Sequence, residues 1–218
     1  NQQFAAKIIM NALYGAMSYF NFRLATPEIA SSVTFVGRNI LDFVRSKLEE
    51  LGYKILAGHT DSIFYFGRTS TPPRLVEEMS NNIEYINNAL NKFVQDFAGA
   101  ILNYIKIEPK KVYQSLIISE KKTEKQKHLT AKSRYAGLLS WIEGEFIDSN
   151  SEKALDIVGY EQKRSDSSEF SRDLQKKILR SLLTGKSEQD LKVFIQEAIT
   201  SLGNNSLELE YIGIPEGL

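Results

Sequence analysis

Apolar residues recur at intervals of three and four along much of this chain, which is the spacing of one helix face. Helical spacing predicts five helices, over 2–20, 26–52, 72–97, 170–185 and 187–203. Typical boundary residues limit several of them: Thr26 and Ser187 are expected N-caps, and Gly52, Gly185 and Gly203 are expected ends. These signals predict well-bounded helices separated by short connections.

Shorter stretches rich in aromatic and β-branched residues predict strands between the helices. Residues 53–56 and 63–66 flank a polar centre at 58–62, a pattern typical of a β-hairpin. Further strands are expected at 104–108, at 112–118, from Leu138, at 154–158 and from 207 to Pro215. Helices mixed with hairpin-connected strands indicate an α+β fold.

Composition excludes several classes of protein. The 218 residues are enough to bury a substantial core, as one large or two small domains. The absence of cysteine excludes a disulfide framework and a thiolate metal site. No apolar run approaches the roughly 18 residues of a membrane-spanning helix, and no signal-peptide pattern occurs. We therefore expect a soluble intracellular protein without a membrane partner.

Positive charge is concentrated in one segment, although the chain has 27 cationic and 27 anionic side chains overall. Residues 101–140 contain nine Lys or Arg and three Glu, so nine minus three leaves this segment at +6. Tyr113, Tyr135 and Trp141 lie in or beside it. The segment is either a surface that follows a phosphate backbone or a solvated lysine-rich loop.

Four polar side chains share one face of the first predicted helix. Gln3, Lys7, Asn11 and Tyr14 are separated by four, four and three residues, so they project from the same side. A cation, an amide and a phenol in one stripe are unusual for a packed face and suit a substrate-binding face. The alternative is that Lys7 is an ordinary exposed lysine.

A carboxylate lies at the expected tip of the hairpin. Asp61 follows the turn-forming residues 58–60, and a carboxylate held at a stiff turn has little freedom to lose when it binds a hard cation such as Mg²⁺. The alternative is that Gly, Thr, Asp and Ser only form the turn here.

Both patterns resemble motifs of family B DNA polymerases. Residues 60–62 match the last three positions of the family's hairpin pattern, Tyr-x-Asp-Thr-Asp-Ser. Lys7, Asn11, Tyr14 and Gly15 match its helix pattern, Lys-x-x-x-Asn-Ser-x-Tyr-Gly. The order and separation of the two motifs strengthen the resemblance.

Two later segments extend the resemblance over most of the chain. Residues 132–137 are similar to the family's Lys-Lys-Arg-Tyr-Ala-Gly, and residues 159–166 are similar to its Gly-x-Glu-x-x-Arg-Ser-Asp. Five departures occur: Ala57 and His59 replace the hairpin's Tyr and first Asp, Ala12 replaces the helix Ser, Ser133 replaces the second Lys, and Val158 replaces the Lys that precedes the last motif. These departures favour an archaeal-type paralogue with an altered active site.

The resemblance implies an α+β fold in which an antiparallel palm sheet carries the metal-binding hairpin and is packed by helices. It implies part of the fingers, with the nucleotide-binding helix, over 1–22 and the palm over 23–158. The palm-to-thumb passage and a partial helical thumb are implied over 159–218. Compared with the family pattern, 121–129 is expected to be an extended loop whose lysines compensate for Ser133.

The resemblance also implies roles residue by residue in nucleotide addition. Asp61 and Lys7 are the implied catalytic residues. Asp61 binds Mg²⁺ of a two-metal site, while Lys7 contacts the incoming triphosphate and protonates the leaving pyrophosphate. Asn11 and Tyr14 lie beside the nascent base pair. All three helix residues are thus expected to bind nucleotide.

Primer-template DNA is the second implied ligand. Lys132, Arg134, Tyr135 and Gly137 are expected to hold the primer strand through phosphate and minor-groove contacts, which carry little sequence information. Arg164 is expected to bind DNA at the passage to the thumb.

The implied activity is template-directed nucleotidyl transfer from deoxynucleoside triphosphates, in DNA replication or repair. The sequence lacks the segment with the partner carboxylate and the exonuclease module. Two cations need carboxylates from more than one segment, so this chain alone should not polymerise DNA. We expect the missing N-terminal region in cis or in trans, with a sliding clamp as a further partner.

Two alternatives to this activity remain. The chain is either an inactivated paralogue or the small subunit of a split polymerase, acting as a DNA-binding or structural component of replication. In each case, if the source is prokaryotic, the expected location is the cytoplasm, in association with the nucleoid.

Overall fold

The computed structural model describes residues 2–59, 61–98, 105–123, 126–160, 167–204 and 207–214. The helices are α1 Gln2–Ser18, α2 Pro27–Glu50, α3 Pro72–Ala98, α4 Glu169–Leu183, α5 Glu188–Gly203 and α6 Leu209–Ile212. The strands are β1 Ile55–His59, β2 Ser62–Tyr65, β3 Lys111–Thr123, β4 Gln126–Ile142, β5 Glu145–Phe146 and β6 Leu155–Val158. All strand pairs are antiparallel, so the expected α+β class is confirmed.

The chain divides into two compact units. The first comprises Asn1–Gly67 and Asn81–Ile107, and the second comprises Arg68–Ser80 and Glu108–Leu218. Among the described helices, none is both long enough and apolar enough to cross a bilayer.

The bounds of α2 follow from local chemistry. Thr26 precedes the helix and Pro27 occupies its first turn, although the Thr26 hydroxyl donates to an earlier carbonyl (3.1 Å) instead of capping the helix. At the other end Gly52 has φ 81°, and the Tyr53 amide donates to the Leu48 carbonyl over 2.9 Å. This Schellman arrangement explains why the helix stops where the glycine predicts.

The core of the first unit lies where α2, the β1–β2 hairpin and the second half of α3 meet. Its buried members are Val44, Leu48, Tyr53 and Ile86, and the apolar residues packed around them are Ile40, Leu51, Ile55, Ile63, Tyr65 and Ile107. Both hairpin strands contribute to this cluster, so the hairpin stands on a rigid base.

The strand expected at 104–108 is not formed by its described part, 105–108. The side-chain amide of Asn87 on α3 satisfies the backbone of Ile107 instead. Asn87 Nδ2 donates to the Ile107 carbonyl (3.0 Å), and Asn87 Oδ1 accepts from the Ile107 amide (2.8 Å). One side chain therefore takes the place that a neighbouring strand would occupy, and residue 104 lies outside the described residues.

The sheet of the second unit is centred on β4. This strand pairs with β3 along one edge and with β5 and β6 along the other. The register shifts beyond the pair Ile118 and Tyr135, since the next partners are Glu120 and Thr130. Residues 131–134 therefore form a bulge opposite Ser119, and bulges of this kind re-aim side chains.

The extended loop expected at 121–129 is wrong for the described residues of that range. β3 and β4 continue to pair beyond the bulge, with Lys121 opposite Leu129 and Thr123 opposite Gln126. Cross-strand pairing within this hairpin overrides the polar composition of the segment, and residues 124 and 125 lie outside the described part.

The core of the second unit lies between α4 and one face of the sheet. Its buried residues are Ala136, Leu138, Ala154, Leu179 and Leu183. Hydrogen bonds reinforce the contact, because Ser115 donates to the Leu183 carbonyl and Arg180 donates to the carbonyls of Ser149 and Ser151. The next helix begins as expected, since Ser187 and Asp190 form a capping box on α5.

The strand expected from 207 is wrong, because residues Leu209–Ile212 form the short helix α6. Tyr211 docks this turn onto α4: its hydroxyl donates to Asp173 (3.1 Å), and its ring meets Phe170 edge to face at 5.7 Å. Tertiary contact at one residue therefore decides the local conformation, and residues 215–218 lie outside the described part.

Candidate functional site

Asp61 lies between the two strands of the first-unit hairpin and is exposed. The strands pair from Ile55 and Tyr65 at the base to His59 and Ser62 at the top. Because the base is anchored in the core, the tip carries the carboxylate on a stiff support. The expected tip position of Asp61 is therefore confirmed, whereas Thr60 and the side chain of His59 lie outside the described residues.

The donor set at this tip fits only part of a metal site. A carboxylate is the ligand chemistry that Mg²⁺ prefers. However, no group of three or more His, Asp or Glu side chains that could hold a metal ion occurs in the described part of the chain. Asp61 therefore fits one ligand position, and the described residues do not complete a site for two cations.

Lys7, Asn11 and Tyr14 project from one side of α1, and all three are exposed. The rest of the helix is also open, since none of its 17 residues is buried. Its exposed apolar residues are Phe4, Ile8, Ile9, Met10 and Leu13. The helix thus presents a cation, an amide and a phenol together, as the spacing predicts.

The segment 132–137 divides between surface and interior. Arg134 is exposed, Tyr135 is half-buried and Gly137 is buried. Lys132 belongs to the bulge in β4, but its side chain lies outside the described part, as does Arg164 altogether. Of the expected DNA-binding residues, Arg134 is therefore the described cation at the surface.

A polar cluster that the sequence reasoning missed lies beside this segment. Tyr113 Oη donates to Asp156 Oδ2 over 2.5 Å, and Lys111 Nζ lies 2.7 Å from the same oxygen. The Tyr113 ring stands edge to face against Tyr135, with centroids 6.4 Å apart. Burial raises the pKa of the Tyr113 hydroxyl, and the hydrogen bond to Asp156 raises it further, so this phenol remains a donor.

The sequence model of DNA polymerase family B matches residues 1–215. The chain belongs to DNA polymerase family B. This membership agrees with the four motif matches, which are spread from α1 to the segment that follows β6.

Individual relatives of this family B chain are similar along its whole length. DNA polymerase 2 of Aeropyrum pernix is 28% identical over 213 residues, covering 98% of this chain and 21% of that protein. The DNA polymerase delta catalytic subunit of Dictyostelium discoideum is 29% identical over 227 residues, covering 100% of this chain and 18% of that protein.

A solved structure is also similar. The family B DNA polymerase from the hyperthermophilic archaeon Pyrobaculum calidifontis superposes with a TM-score of 0.55 and 26% identity, over 96% of this chain and 22% of that one. The chain therefore spans about a fifth of the length of the relatives described here.

Part of the positive charge in the basic segment of this family B chain is paired with carboxylates of the same chain. Lys110 lies 3.1 Å from Glu143 and 3.8 Å from Glu108, and Lys111 is paired with Asp156. These two lysines are engaged within the protein, which leaves exposed Arg134 as the stronger candidate for phosphate contact.

The expected site residues divide between the two units. Lys7, Asn11, Tyr14 and Asp61 belong to the first unit, whereas the described part of 132–137 belongs to the second. The sequence analysis named Tyr113 in the basic segment but missed its contact with Asp156, for which the sequence contains one weak signal. A glycine inside a strand often marks the close approach of another group, and Gly137 is such a residue.

Proposed function

We propose that this chain is part of the catalytic region of a DNA-directed DNA polymerase. The observation that carries the proposal is the exposed carboxylate of Asp61 at the tip of a core-anchored hairpin, in a chain that matches the family over residues 1–215. The fingers lie in 1–22, the palm in 23–158, and the passage and partial thumb in 159–218. The remaining catalytic region is supplied in cis or in trans.

Asp61 contributes one oxygen ligand to divalent cations, most suitably Mg²⁺, and the stiff hairpin fixes where that ligand stands. When bound, such cations stabilise the charge that develops on the transferred phosphoryl group. The other ligands come from outside the described residues. The role of this chain at the metal site is therefore to hold one carboxylate in place.

Lys7, Asn11 and Tyr14 bind the incoming deoxynucleoside triphosphate. Lys7 and Tyr14 are seven positions apart on α1, which is about 10 Å along the helix axis. The Lys7 ammonium offers three donors to phosphate oxygens and a proton for the leaving pyrophosphate, while the amide and phenol lie toward the base pair. One helix face thereby orients both ends of the nucleotide.

Arg134 and Tyr135 hold the primer-template duplex, together with Lys132 and Arg164. The bulge at 131–134 supports this role, because it interrupts the regular strand pairing and contains the exposed Arg134. Contacts of this kind position the duplex without reading its sequence. The expected contact of Gly137 with DNA is not supported, because this glycine is buried beneath the Tyr113 ring. A sliding clamp is a further partner. In a prokaryotic source, the protein acts in the cytoplasm at the nucleoid.

A second candidate function rests on four departures from the family motifs, at Ala12, Ala57, His59 and Ser133. Loss of the hairpin's first aspartate lowers the negative charge available for cations. The chain would then belong to an inactivated paralogue or to the small subunit of a split polymerase, which binds DNA in replication without chemistry.

Primer extension separates the two functions. The full-length protein that contains this segment is mixed with labelled primer-template, all four nucleotides and Mg²⁺ or Mn²⁺. Extension is the expected result. Intact binding of the primer-template without extension under either metal would overturn the polymerase assignment and favour the DNA-binding role.

Replacing Lys7 by alanine should lower kcat/KM for the nucleotide by roughly 10- to 100-fold, because hydrogen bonds to a charged group contribute this much. Steady-state primer extension with varied nucleotide concentration measures it. Lys92→Ala, at an exposed position of α3, is the matched control and should be neutral. Equal kinetics for Lys7→Ala and wild type would remove Lys7 from the nucleotide site.

Replacing Arg134 by alanine should weaken duplex binding and reduce the slope of log Kd against log salt concentration by about 0.9, one phosphate contact. Fluorescence anisotropy of a labelled primer-template between 50 and 200 mM salt, roughly the range over which such contacts are weakened, gives the slope. Arg74→Ala, an exposed arginine in the first turns of α3, is the control. An unchanged slope for Arg134→Ala would exclude a phosphate contact.

A further inference from the structure

One face of the second-unit sheet carries a side chain that crosses a whole strand. Tyr113 starts on β3, passes over Gly137 of the central strand β4, and ends at Asp156 of β6. Asp156 is the register partner of Gly137, so the phenol reaches the far side of the strand that it crosses.

Gly137 makes this crossing possible. A Cβ atom at residue 137 would lie 2.7 Å from Cε1 of Tyr113 and closer still to Cδ1, well inside van der Waals contact. Any other residue would therefore displace the ring. The glycine of this motif serves the packing of Tyr113, and its own backbone is buried.

Two bonds fix the far end of the crossing. The Tyr113 hydroxyl and the Lys111 ammonium both donate to Oδ2 of Asp156, over 2.5 and 2.7 Å. The Asp156 and Lys111 side chains are only 17% and 31% exposed. Charge-assisted bonds in a partly buried setting are stronger than ordinary ones, so the ring has one preferred position.

The near side of the crossing contacts Tyr135. The two rings meet edge to face at an interplanar angle of 84°. Alternation along β4 places Tyr135 on the same face as Gly137, opposite the face that Ala136 and Leu138 turn toward α4. Tyr135 also directly follows the bulge at 131–134. By holding the Tyr135 ring, Tyr113 also restrains the end of the bulge that precedes Tyr135.

We propose that Tyr113, held by Asp156 and Lys111, is a positioning residue that sets the Tyr135 ring and the adjoining bulge for contact with the primer-template duplex. This inference rests on the proposed function. Lys111 lies in the basic segment, but in this proposal its charge is paired with Asp156 and does not contact DNA. Tyr113, Asp156 and Lys111 therefore affect DNA affinity by positioning Tyr135, whereas Arg134 affects it through its charge.

The test is a double-mutant cycle on binding of a labelled primer-template duplex by the full-length protein. Tyr113→Phe keeps the ring and removes the hydrogen bonds of its hydroxyl with Asp156 and Tyr135. It should raise Kd roughly five-fold, within the range of coupling between contacting residues, and leave the salt slope unchanged. In a Tyr135→Ala background the same substitution should have no effect, because the residue through which it acts is gone.

Tyr211→Phe is the matched control, since it also removes a tyrosine-to-aspartate bond from the second unit and should leave Kd unchanged. Circular dichroism and thermal melting verify that each variant is folded. The double variant Asp156→Ala with Lys111→Met removes the acceptor of the Tyr113 hydroxyl and leaves no lysine unpaired. It should reproduce the effect of Tyr113→Phe and is used if Tyr113→Phe is unstable.

The possible outcomes distinguish failure of the positioning role of Tyr113 from failure of the proposed function. A five-fold weaker Kd that disappears in the Tyr135→Ala background supports the inference. An unchanged Kd for Tyr113→Phe, or an equal loss in both backgrounds, overturns it while the proposed function stands. Failure of the wild-type protein to bind the duplex overturns the proposed function and the inference with it.

Discussion

Replacing Asp61 by alanine should reduce primer extension by the full-length protein about 10³-fold or more. The substitution removes the one carboxylate that this chain holds at the hairpin tip, and electrostatic stabilisation of the developing charge is commonly the largest contribution to such reactions. Single-turnover extension of a labelled primer with Mg²⁺ measures the loss. Duplex binding should be nearly unchanged, because Asp61 carries no positive charge that could contact the DNA phosphates.

Two further variants make this result specific. Asp61→Asn keeps the shape of the side chain and removes its charge, so it should lose as much activity as Asp61→Ala. Asp42→Ala removes an exposed carboxylate from α2 in the same unit and should retain full activity. Extension by Asp61→Ala at the wild-type rate would show that the hairpin carboxylate is not a metal ligand.

Replacing Ile86 by alanine should destabilise the first unit by about 3 kcal/mol, because truncation of a buried aliphatic side chain leaves a cavity. Ile86 is 1% exposed and packs with Val44, Leu48 and Tyr53. Hydrogen exchange should accelerate about 10²-fold in peptides that contain α2 and the β1–β2 hairpin, since their protection depends on this unit.

Ile199→Ala is the matched control for this prediction. It makes the same chemical change at a helical position that is 55% exposed, and its effect should be within about 0.5 kcal/mol. Activity should also fall in Ile86→Ala, because the hairpin that carries Asp61 stands on the same cluster. Unchanged exchange near the hairpin would show that its base is held by contacts other than this core.

Local sequence signals decided much of this fold. Ser187 and Asp190 form the capping box that their spacing predicts, and Gly52 ends α2 with a positive φ. The hairpin strands and the placement of Lys7, Asn11 and Tyr14 on one helix face also followed from short-range periodicity. Such features depend on residues only a few positions apart, and a linear pattern records them directly.

Two of the errors arose where a residue distant in sequence satisfied or displaced the local backbone, and the third arose where pairing within a hairpin overrode composition. Residues 105–108 have a strand-like pattern, but the Asn87 amide bonds to Ile107 and no strand forms. The tail from 207 also looks extended, yet Tyr211 docks on α4 and the chain turns into a helix. Polar residues at 121–129 favoured a loop, and cross-strand pairing made a hairpin.

In the candidate site, too, some features follow from the sequence and others are seen only in the tertiary structure. The sequence by itself predicted that Asp61 and the stripe on α1 carry the chemistry, because these residues belong to motifs of fixed spacing. Only the tertiary structure decided that Gly137 lies under the ring of Tyr113 and that Lys111 forms a salt bridge with Asp156. These contacts join residues on three strands, and a periodic pattern within one strand contains no information about the partner that another strand brings to it.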